Sequence, residues 1–280
     1  MTSADLPAGP PHPDALLSIA VDIALRAGEI AKTRRREGVA VAASKSSAVD
    51  VVTFADREVE AFIRDEIAQA RPDDGFFGEE SDAAASSSGL TWVVDPIDGT
   101  VNYLYGIPNY AVSIAVVAGE PNPLTWKALA GVVVSPESGE VFTATTGGGA
   151  RLNGEEIRAN RGVQPDRALV GTGFGYDSEV RLRQVRMLEP LLREVRDIRR
   201  MGAASLDLCS VACGRLDAYF ERGLQPWDHA AGALIARESG ARVVGMNGAA
   251  ASAQMTIAGD ELLTNYLERY LLKHDLSWEV

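Results

Sequence analysis

Three groups of acidic residues have the types and spacing to bind a divalent cation. They are the pair Glu79-Glu80, the pair Asp95 and Asp98, and the single residue Asp228. Neighbouring carboxylates repel one another unless a positive charge lies nearby, and their oxygens are the ligands that a hard cation such as Mg²⁺ prefers. Asp228 lies at a predicted helix start, so it also suits an N-cap, and the two roles are compatible. The sequence therefore predicts a magnesium site assembled from separate segments.

Asp95 and Asp98 follow an apolar run. We expect residues 91–94 to form a strand that delivers Asp95 at its end, Pro96 to force a turn, and Gly99-Thr100 to open a helical turn. Both carboxylates would then converge on one point. For an isolated D-x-x-D-G segment, a turn in which Asp98 caps a helix is the simpler interpretation.

Composition narrows the possible partners. The chain has 27 Lys and Arg against 39 Asp and Glu, a net charge of −12, which disfavours binding to nucleic acid or anionic membranes. No apolar run approaches the roughly 20 residues of a membrane span, and the N-terminus lacks a signal-peptide pattern. Three scattered histidines and two cysteines disfavour a zinc site or a disulfide framework. We expect a soluble cytoplasmic protein that binds its anionic substrate through a metal.

The chain divides into a tail and two halves. Residues 1–13 contain four prolines and are predicted to be a disordered tail. Residues 14–160 show helices followed by hairpin-connected strands, an α+β half carrying most of the metal ligands. Residues 161–280 alternate helices and strands, as in an α/β half. The site would lie between the halves, because Asp228 belongs to the second.

Apolar periodicity and turn residues predict the individual elements. The predicted helices are 16–36, 59–67, 180–195, 205–214, 227–239 and 261–273. The predicted strands are 91–94, 112–117, 126–134, 141–145, 169–171, 217–221, 242–244 and 255–258.

The acidic segments together resemble a family signature. G-E-E at 78–80, W-V-V-D-P-I-D-G-T-V-N-Y at 92–103 and W-D-H-A-A-G at 227–232 match the signature of the inositol monophosphatases in order and spacing. That family belongs to the lithium-sensitive, metal-dependent phosphatases, with fructose bisphosphatases and nucleotide 3′-phosphatases. The resemblance extends from about Asp14 to the C-terminus and implies a layered αβαβα phosphatase fold of the inositol monophosphatase/fructose bisphosphatase type.

Two further segments strengthen the resemblance. Lys45-Ser46-Ser47, with Asp50 and Asp56, is similar to the family's K-S-S…D…T-x-x-D loop. Residues 201–208, Met-Gly-Ala-Ala-Ser-Leu-Asp-Leu, are similar to its G-S-A-A-L segment, with Gly-Ala-Ala where Gly-Ser/Thr-Ala-Ala is commoner. Lys45 also suits an ordinary solvated loop lysine.

The resemblance implies a role for each matching position. Glu79, Asp95 and the Ile97 carbonyl would hold one Mg²⁺, and Asp95, Asp98 and Asp228 would hold a second. Glu79 would also help to hold a weaker third ion.

The resemblance also implies catalytic and substrate-binding positions. Thr100, backed by Asp56 and Glu79, would orient the attacking water in line with phosphorus, and the backbone N–H groups of Gly99 and Thr100 would bind phosphate oxygens. The substrate-contacting positions would be Asp98, Gly99, Thr100, Gly202, Ala203, Ala204, Glu221 and Asp228. Glu221 also suits a solvated strand end.

A glycine-rich segment competes with this interpretation. Residues 169–176 are similar to the turn of a dinucleotide fold, but Tyr176 stands where that fingerprint requires Gly or Ala. We therefore interpret residues 171–175 as a tightly packed loop after a strand.

The sequence thus predicts an Mg²⁺-dependent phosphatase acting on a small phosphate monoester, most specifically inositol 1-phosphate. Alternatives are the same chemistry on fructose 1,6-bisphosphate, histidinol phosphate or a nucleoside 3′-phosphate, and a regulatory protein-binding module that retains the fold. A nucleotide would require an aromatic or basic platform, which the sequence does not identify. The resemblance also implies a homodimer and sensitivity to lithium.

Overall fold

The computed structural model describes residues 12–44 and 51–274. The predicted tail lies outside these residues except for its last two, His12 and Pro13. The loop residues Lys45-Ser46-Ser47 also lie outside them. Helix α1 spans Pro13–Glu37 and begins three residues before the predicted start at residue 16, because a proline is compatible with the first helical position.

Two helices and a short hairpin form the N-terminal layer. After α1 come strands β1 (Val41–Ser44) and β2 (Val51–Thr53), which pair antiparallel, and helix α2 (Phe54–Ala70). The basic residues of the last turn of α1 interact favourably with the negative end of the helix dipole. Thr53 caps α2, and the Asp56 side chain reciprocates by accepting from the Thr53 backbone, a capping box.

Seven strands form the larger sheet, and their spatial order follows the chain. They are β3 (Gly75–Gly78), β4 (Leu90–Asp98), β5 (Ala111–Ala118), β6 (Lys127–Ser135), β7 (Glu140–Thr145), β8 (Gly149–Leu152) and β9 (Glu155–Glu156). Strand β3 is parallel to β4, and the other neighbours are antiparallel. A short helix, α3 (Thr100–Tyr105), lies between β4 and β5.

The second half of the chain builds a smaller sheet and four helices. Its strands are β10 (Leu169–Thr172), β11 (Asp197–Arg199), β12 (Ala218–Glu221), β13 (Arg242–Val244) and β14 (Thr256–Gly259), in the order β11-β10-β12-β14-β13. The helices are α4 (Ser178–Leu191), α5 (Ala204–Ala212), α6 (Pro226–Glu238) and α7 (Glu261–His274). Strand β10 is parallel to β11 and β12, so its C-terminal end lies beside theirs.

Sheets and helices alternate in five layers. Helices α1 and α2 pack on one face of the larger sheet, to which Trp92 and Val94 contribute. Helices α5 and α6 lie between the sheets and contact both, and the intervening Val93 points toward them. Helices α4 and α7 pack on the outer face of the smaller sheet. The predicted αβαβα layering is confirmed; the division at residue 160 stays a prediction.

Small residues allow α6 to approach its neighbours closely. A Cβ on Gly131 of β6 would lie 3.1 Å from Ala231 Cα, and one on Gly232 would lie 2.9 Å from Leu208 Cβ. The Ala-Ala-Gly part of the W-D-H-A-A-G segment is therefore needed for packing. This close packing fixes the position of Asp228 at the start of the helix.

Strand β4 does not end at Asp95. It continues through Pro96 to Asp98, so the predicted turn at Pro96 is wrong. Asp95 pairs with Ser113 and Asp98 pairs with Ala111. Between these two pairs, β4 therefore contains one more residue than β5. This extra residue is a β-bulge, a place where a proline is tolerated because the local ladder is already interrupted.

Within the part of the chain that the structure describes, no helix is both long and apolar enough to cross a bilayer.

Candidate active site

The bulge in β4 brings Asp95 and Asp98 into one region. In a regular strand, residues three apart point to opposite faces, and the extra residue of a bulge reverses that alternation. Asp95 Oδ1 accepts a hydrogen bond from the Ile97 N–H at 3.1 Å. Both carboxylates are buried, with 2% and 7% of their surfaces exposed. The predicted convergence is therefore present, although a bulge produces it rather than a proline turn.

Asp98 caps a helix, but a different one from the helix that follows it. The N-cap of α3 is Gly99, which has no side chain. The Asp98 carboxylate instead accepts from the backbone N–H groups of Ala204, at 3.2 Å, and Ser205, at 2.7 Å, and from the Ser205 hydroxyl. These donors belong to the first turn of α5, whose own N-cap, Ala203, has only a methyl group. The interpretation of Asp98 as a local cap is therefore wrong.

Thr100 and Asp56 are in contact. The Thr100 hydroxyl lies 3.2 Å from Asp56 Oδ1 and 3.1 Å from the Ile97 carbonyl oxygen, two acceptors for its single hydrogen. Asp56 Oδ2 accepts from the Thr53 N–H at 2.8 Å and from the Thr53 hydroxyl. Burial raises the pKa of Asp56 to about 6, and the hydrogen bonds from Thr53 limit that rise. The Thr100 oxygen is thereby held in a defined orientation.

Asp228 is the third residue of α6 rather than its N-cap. The N-cap is Gln225, and Asp228 Oδ2 accepts from the Gln225 N–H at 2.6 Å. The interpretation of Asp228 as an N-cap is wrong in position, although the side chain does satisfy a donor at the helix start. This hydrogen bond uses only Oδ2 of Asp228, so it leaves Oδ1 for another contact.

Burial and the charges of neighbouring carboxylates raise the pKa of three aspartates. Burial, followed by the charges of Glu79, Asp98 and Asp228, raises the pKa of Asp95 well above its ordinary value. Burial and then Glu79 and Asp98 do the same to the pKa of Asp228. Burial raises the pKa of Asp98 to about 6, although its hydrogen bonds from α5 oppose the rise. The predicted acidic residues therefore share one electrostatic environment.

The carboxylate oxygens suit a hard cation, although their present positions do not form a complete coordination site. Within residues 12–44 and 51–274, no three Asp, Glu, His or Cys side chains lie close enough together to hold a metal as they stand. Asp98 and Asp228 nevertheless line one cleft, and Asp95 lies with Asp98 at the bulge of β4. All of the donors are oxygens, and a divalent cation would relieve their repulsion. Binding would draw the side chains closer together.

A cleft of about 500 Å³ opens beside these residues. Six of the predicted residues line it: Asp98, Gly99, Gly202, Ala204, Glu221 and Asp228. The predicted residues outside its lining are Asp56, Glu79, Asp95, Ile97, Thr100 and Ala203. The structure thus brings the predicted substrate-contacting residues to one surface, except for Thr100 and Ala203.

Gly99 and Gly202 pack against each other at this surface. Gly99 has a φ of 89°, and a Cβ there would lie 3.1 Å from the Gly202 carbonyl oxygen and 3.0 Å from that of Asn109. Only glycine adopts this conformation easily in so little space. The turn after Asp98 therefore requires glycine for its shape.

Glu221 ends β12 and is half-buried, so it is not a solvated strand end. Its carboxylate accepts a hydrogen bond from the Tyr219 hydroxyl. Burial raises the pKa of Glu221 to about 7, opposed by Tyr219 and by the charge of Arg200. A Cβ on Gly173 would lie 1.9 Å from Glu221 Oε2, so Gly173 makes room for this carboxylate.

Comparisons with known proteins agree with this geometry. The model of the inositol monophosphatase family matches residues 12–275. The chain belongs to this family. An inositol-1-monophosphatase from Mycobacterium bovis is 44% identical over 251 residues, 83% of this chain and 84% of that protein. A protein from Escherichia coli named Nus factor SuhB is 38% identical over 239 residues, covering 85% of this chain and 86% of its own length.

A solved structure has the same fold. The extragenic suppressor protein suhB from Bartonella henselae superposes with a TM-score of 0.84 at 36% identity, covering 92% of this chain and 99% of that one. Members of the inositol monophosphatase family are metal-dependent phosphatases in general. The carboxylate cluster is consistent with such an enzyme.

Several cleft residues of this family member were not predicted from sequence. Residues 173–175 of the predicted packing loop line the cleft together with Tyr176, and so do Arg181, Arg200 and Arg222. The glycines of this loop fit the packing interpretation as well, because a Cβ would lie 2.7 Å from Leu216 at Gly171 and 3.0 Å from Val180 at Gly175. Arg200 stands two residues before Gly202 of the Gly-Ala-Ala segment, and this proximity was the only available signal.

Proposed function

We propose that this phosphatase hydrolyses inositol 1-phosphate to myo-inositol and phosphate with Mg²⁺ as its cofactor. The observation that carries the proposal is the placement of the carboxylates: Asp98 and Asp228 line one cleft, and Asp95 lies with Asp98 at the bulge of β4. Burial, and then the charges of neighbours that include Glu79, raises the pKa of these three aspartates. The name of the Mycobacterium bovis relative supports the choice of substrate.

The proposed metal ligands are those implied by the family resemblance. Glu79, Asp95 and the Ile97 carbonyl would hold one Mg²⁺, and Asp95, Asp98 and Asp228 would hold a second. Bound divalent cations lower the pKa of water and stabilise the negative charge that develops on the leaving oxygen.

Thr100 is proposed to orient the attacking water. Its hydrogen is directed to Asp56 Oδ1 or to the Ile97 carbonyl, 3.2 and 3.1 Å away, so its oxygen can accept a hydrogen bond from water. Because the pKa of Asp56 is about 6, its carboxylate is mostly ionised at neutral pH and remains an acceptor. Glu79 is proposed to assist in holding the same water.

The phosphate and the polyol parts of the substrate are proposed to contact different residues of the cleft. The backbone N–H groups of Gly99 and Thr100 would donate to phosphate oxygens, because no Cβ on Gly99 blocks the approach. Glu221 would accept from a substrate hydroxyl. The other proposed substrate contacts are Asp98, Gly202, Ala203, Ala204 and Asp228.

A regulatory role is the second candidate. The observation that favours it is the name of the Escherichia coli relative, Nus factor SuhB, at 38% identity. The two roles are separable, because a role that does not use hydrolysis would survive Asp98→Asn.

A substrate screen tests the proposed function. The purified protein with Mg²⁺ would be given inositol 1-phosphate, fructose 1,6-bisphosphate, histidinol phosphate and 3′-phosphoadenosine 5′-phosphate, and phosphate release would be measured. We expect inositol 1-phosphate to be hydrolysed, EDTA to abolish the activity, and Asp98→Asn to reduce it by about 100-fold or more. A much higher kcat/KM for another substrate, or full activity in EDTA, would overturn the assignment.

The homodimer and the cytoplasmic location are also proposals, and their support is the family resemblance and the composition. Light scattering after size-exclusion chromatography would test the dimer, which predicts twice the 29.8 kDa chain mass.

A further inference from the structure

A single side-chain amide connects three backbone segments behind the cleft. Asn102 lies in α3, three residues after Gly99, and only 6% of its surface is exposed. Its Nδ2 donates to the Asn109 carbonyl and to the Met201 carbonyl, both at 2.8 Å. The amide nitrogen of an asparagine carries two hydrogens, and both are used here. Asn102 therefore joins α3 to the segment before β5 and to the loop before α5.

The Met201 carbonyl oxygen is held from two sides. In addition to the bond from Asn102, it accepts a hydrogen bond from Asn109 Nδ2 at 3.2 Å. A carbonyl oxygen has two lone pairs, so the two amides complete its hydrogen bonding. This carbonyl belongs to the planar peptide group that joins Met201 to Gly202. The two asparagines therefore fix the orientation in which the chain enters Gly202.

The same amide lies close to two glycines of the cleft. A Cβ on Gly202 would lie 3.1 Å from Asn102 Nδ2. A Cβ on Gly99 would lie 3.0 Å from the Asn109 carbonyl oxygen, to which Asn102 donates. Gly99 and Gly202 line the cleft, whereas Asn102 does not. Asn102 therefore lies behind the part of the wall that these glycines form.

The segment from Met201 to Ser205 is attached to the first half of the chain at both ends. Asn102 holds the carbonyl at its start, and Asp98 accepts from the N–H groups of Ala204 and Ser205 at its end. Asp98 is also a proposed metal ligand, whereas the Asn102 amide is neutral and has no such second role. The attachment through Asn102 is therefore independent of the charge on the carboxylates.

We propose that Asn102 is a positioning residue that holds the backbone of residues 201–203 in place for substrate binding. The kinetic part of this inference rests on the proposed phosphatase function, in which Gly202 and Ala203 contact the substrate. Asn102 acts through these two residues and touches neither the substrate nor a metal. Loss of its amide should therefore weaken substrate binding much more than it slows the metal-dependent step.

Two variants at this position and a matched control test the proposal. Asn102→Ala removes both hydrogen bonds and introduces a residue that favours a helix. Asn102→Asp keeps the shape but places an oxygen, instead of the donor nitrogen, against two carbonyl oxygens. The control is Asn160→Ala. Asn160 Nδ2 likewise donates to two acceptors, the Gly214 carbonyl at 2.9 Å and Asp217 Oδ1 at 2.8 Å, and it lines a different groove.

Initial rates below the melting temperature of each variant give KM and kcat separately. We expect Asn102→Ala to raise KM for inositol 1-phosphate by about 10-fold or more, because two hydrogen bonds are lost. The value of kcat should fall by less than about 3-fold, and the Mg²⁺ concentration for half-maximal activity should stay the same. Asn102→Asp should raise KM at least as much. Asn160→Ala should change neither KM nor kcat.

A merely structural role gives a different result. It would lower the melting temperature of Asn102→Ala and leave KM and kcat unchanged, and this outcome would overturn the proposal. A fall in kcat at unchanged KM would also overturn it, because the effect would then lie in the chemical step. The same holds for an equal rise in KM in Asn160→Ala, or for natural behaviour of Asn102→Asp.

A milder variant decides the question if Asn102→Ala does not fold. Asn109→Ala removes only the 3.2 Å bond to the Met201 carbonyl and leaves the Asn109 carbonyl as an acceptor for Asn102. It should raise KM by about 2-fold to 5-fold, as expected for one weak hydrogen bond. An unchanged KM in this variant would overturn the proposal.

The positioning can also be measured without hydrolysis. In the substrate-free protein, the backbone amide resonances of Gly202 and Ala203 should move in Asn102→Ala and stay in place in Asn160→Ala. If the natural protein releases phosphate from no substrate, the proposed function fails, and these resonances decide the positioning role separately. Resonances that do not move in Asn102→Ala would overturn that role.

Discussion

The starts of α2 and α6 use the same local structure for different purposes. In each helix an aspartate at the third position, Asp56 or Asp228, accepts a hydrogen bond from the backbone N–H of the N-cap residue. Asp56 also accepts from the hydroxyls of Thr53 and Thr100. Burial raises the pKa of both aspartates, and the charge of Glu79 adds to the rise in both. Asp228 is raised further by Asp98 and Glu221.

The difference lies in what surrounds each carboxylate. Three donors stabilise the ionised form of Asp56, so its pKa rises only to about 6 despite complete burial. Asp228 accepts from one backbone N–H and has three negative neighbours, Glu79, Asp98 and Glu221. The comparison teaches that hydrogen bonds stabilise the charge of Asp56, whereas a bound cation would offset the negative neighbours of Asp228. Experiments that alter the surroundings of Asp56 and of Asp228 separately test this distinction.

The largest effect is expected from Asp228→Asn. The amide oxygen can still accept from the Gln225 N–H, but a charged ligand is lost, so kcat/KM should fall by about 100-fold or more. The melting temperature in EDTA should stay the same or rise, because a repelled carboxylate is removed. Phosphate release and thermal denaturation measure the two quantities. A fall in stability without a change in Mg²⁺ dependence would make Asp228 a purely structural residue.

Asp56→Asn should give the opposite pattern. An amide cannot replace both carboxylate oxygens as acceptors, so the variant should lose about 1–3 kcal/mol of stability. The rate should fall by about 10-fold, because Thr100 loses one of its two acceptors. The Mg²⁺ concentration for half-maximal activity should not change. A large shift in that concentration would place Asp56 among the metal ligands and remove the distinction.

Inhibition by lithium tests the proposed metal position that includes Asp228 without any mutation. Li⁺ is similar to Mg²⁺ in size and also prefers oxygen ligands, so it could occupy the position of Asp95, Asp98 and Asp228 after cleavage and delay product release. We expect uncompetitive inhibition, which deepens as substrate increases. Initial rates over a matrix of substrate and LiCl, with KCl as control, measure it. Relief by excess substrate, or an equal effect of KCl, would contradict this occupancy.

A smaller effect is expected from pH on the metal-free protein. The pKa values of Asp56 and Asp98 are about 6 in the folded protein, above the ordinary value of about 4. The folded state therefore binds more protons than the unfolded state between these values, and stability should rise as the pH falls from 7 toward 4. Melting temperatures in EDTA and in Mg²⁺ measure this. Mg²⁺ should stabilise the protein more at pH 7 than at pH 5, and the reverse order would refute the repulsion.

The acidic site was largely accessible to sequence analysis, because its residues are close together in sequence or belong to recognisable segments. Asp95 and Asp98 are three residues apart, and Asp228 follows Pro226 at a helix start. The bulge was not predicted, since Pro96 in a sequence equally suggests a turn. The bond from Ser205 to Asp98 joins residues 107 positions apart, and no local pattern encodes such a contact.

The part of the cleft that Arg181 and Arg200 line could not be predicted from the sequence, for a related reason. Arg200 and Phe174, whose guanidinium carbon and ring centre lie 5.9 Å apart, follow β11 and β10, and these two strands pair in parallel. Strand β11 has three residues, too few for a periodic pattern, and it was missed together with β1, β2, β3, β8 and β9. The longer helices and strands, whose periodicity extends over several turns or pairs, were predicted to within a few residues. Nonlocal strand pairing is what the sequence did not reveal.

Asp98 belongs to β4, whereas the helix it caps belongs to the second half of the chain. The state of the carboxylate is therefore transmitted directly to the amide protons of Ala204 and Ser205. Those two amides are built-in spectroscopic reporters. Their chemical shifts and hydrogen-exchange rates follow the charge and occupancy of the site from a helix more than a hundred residues away in sequence, without any label in the cleft.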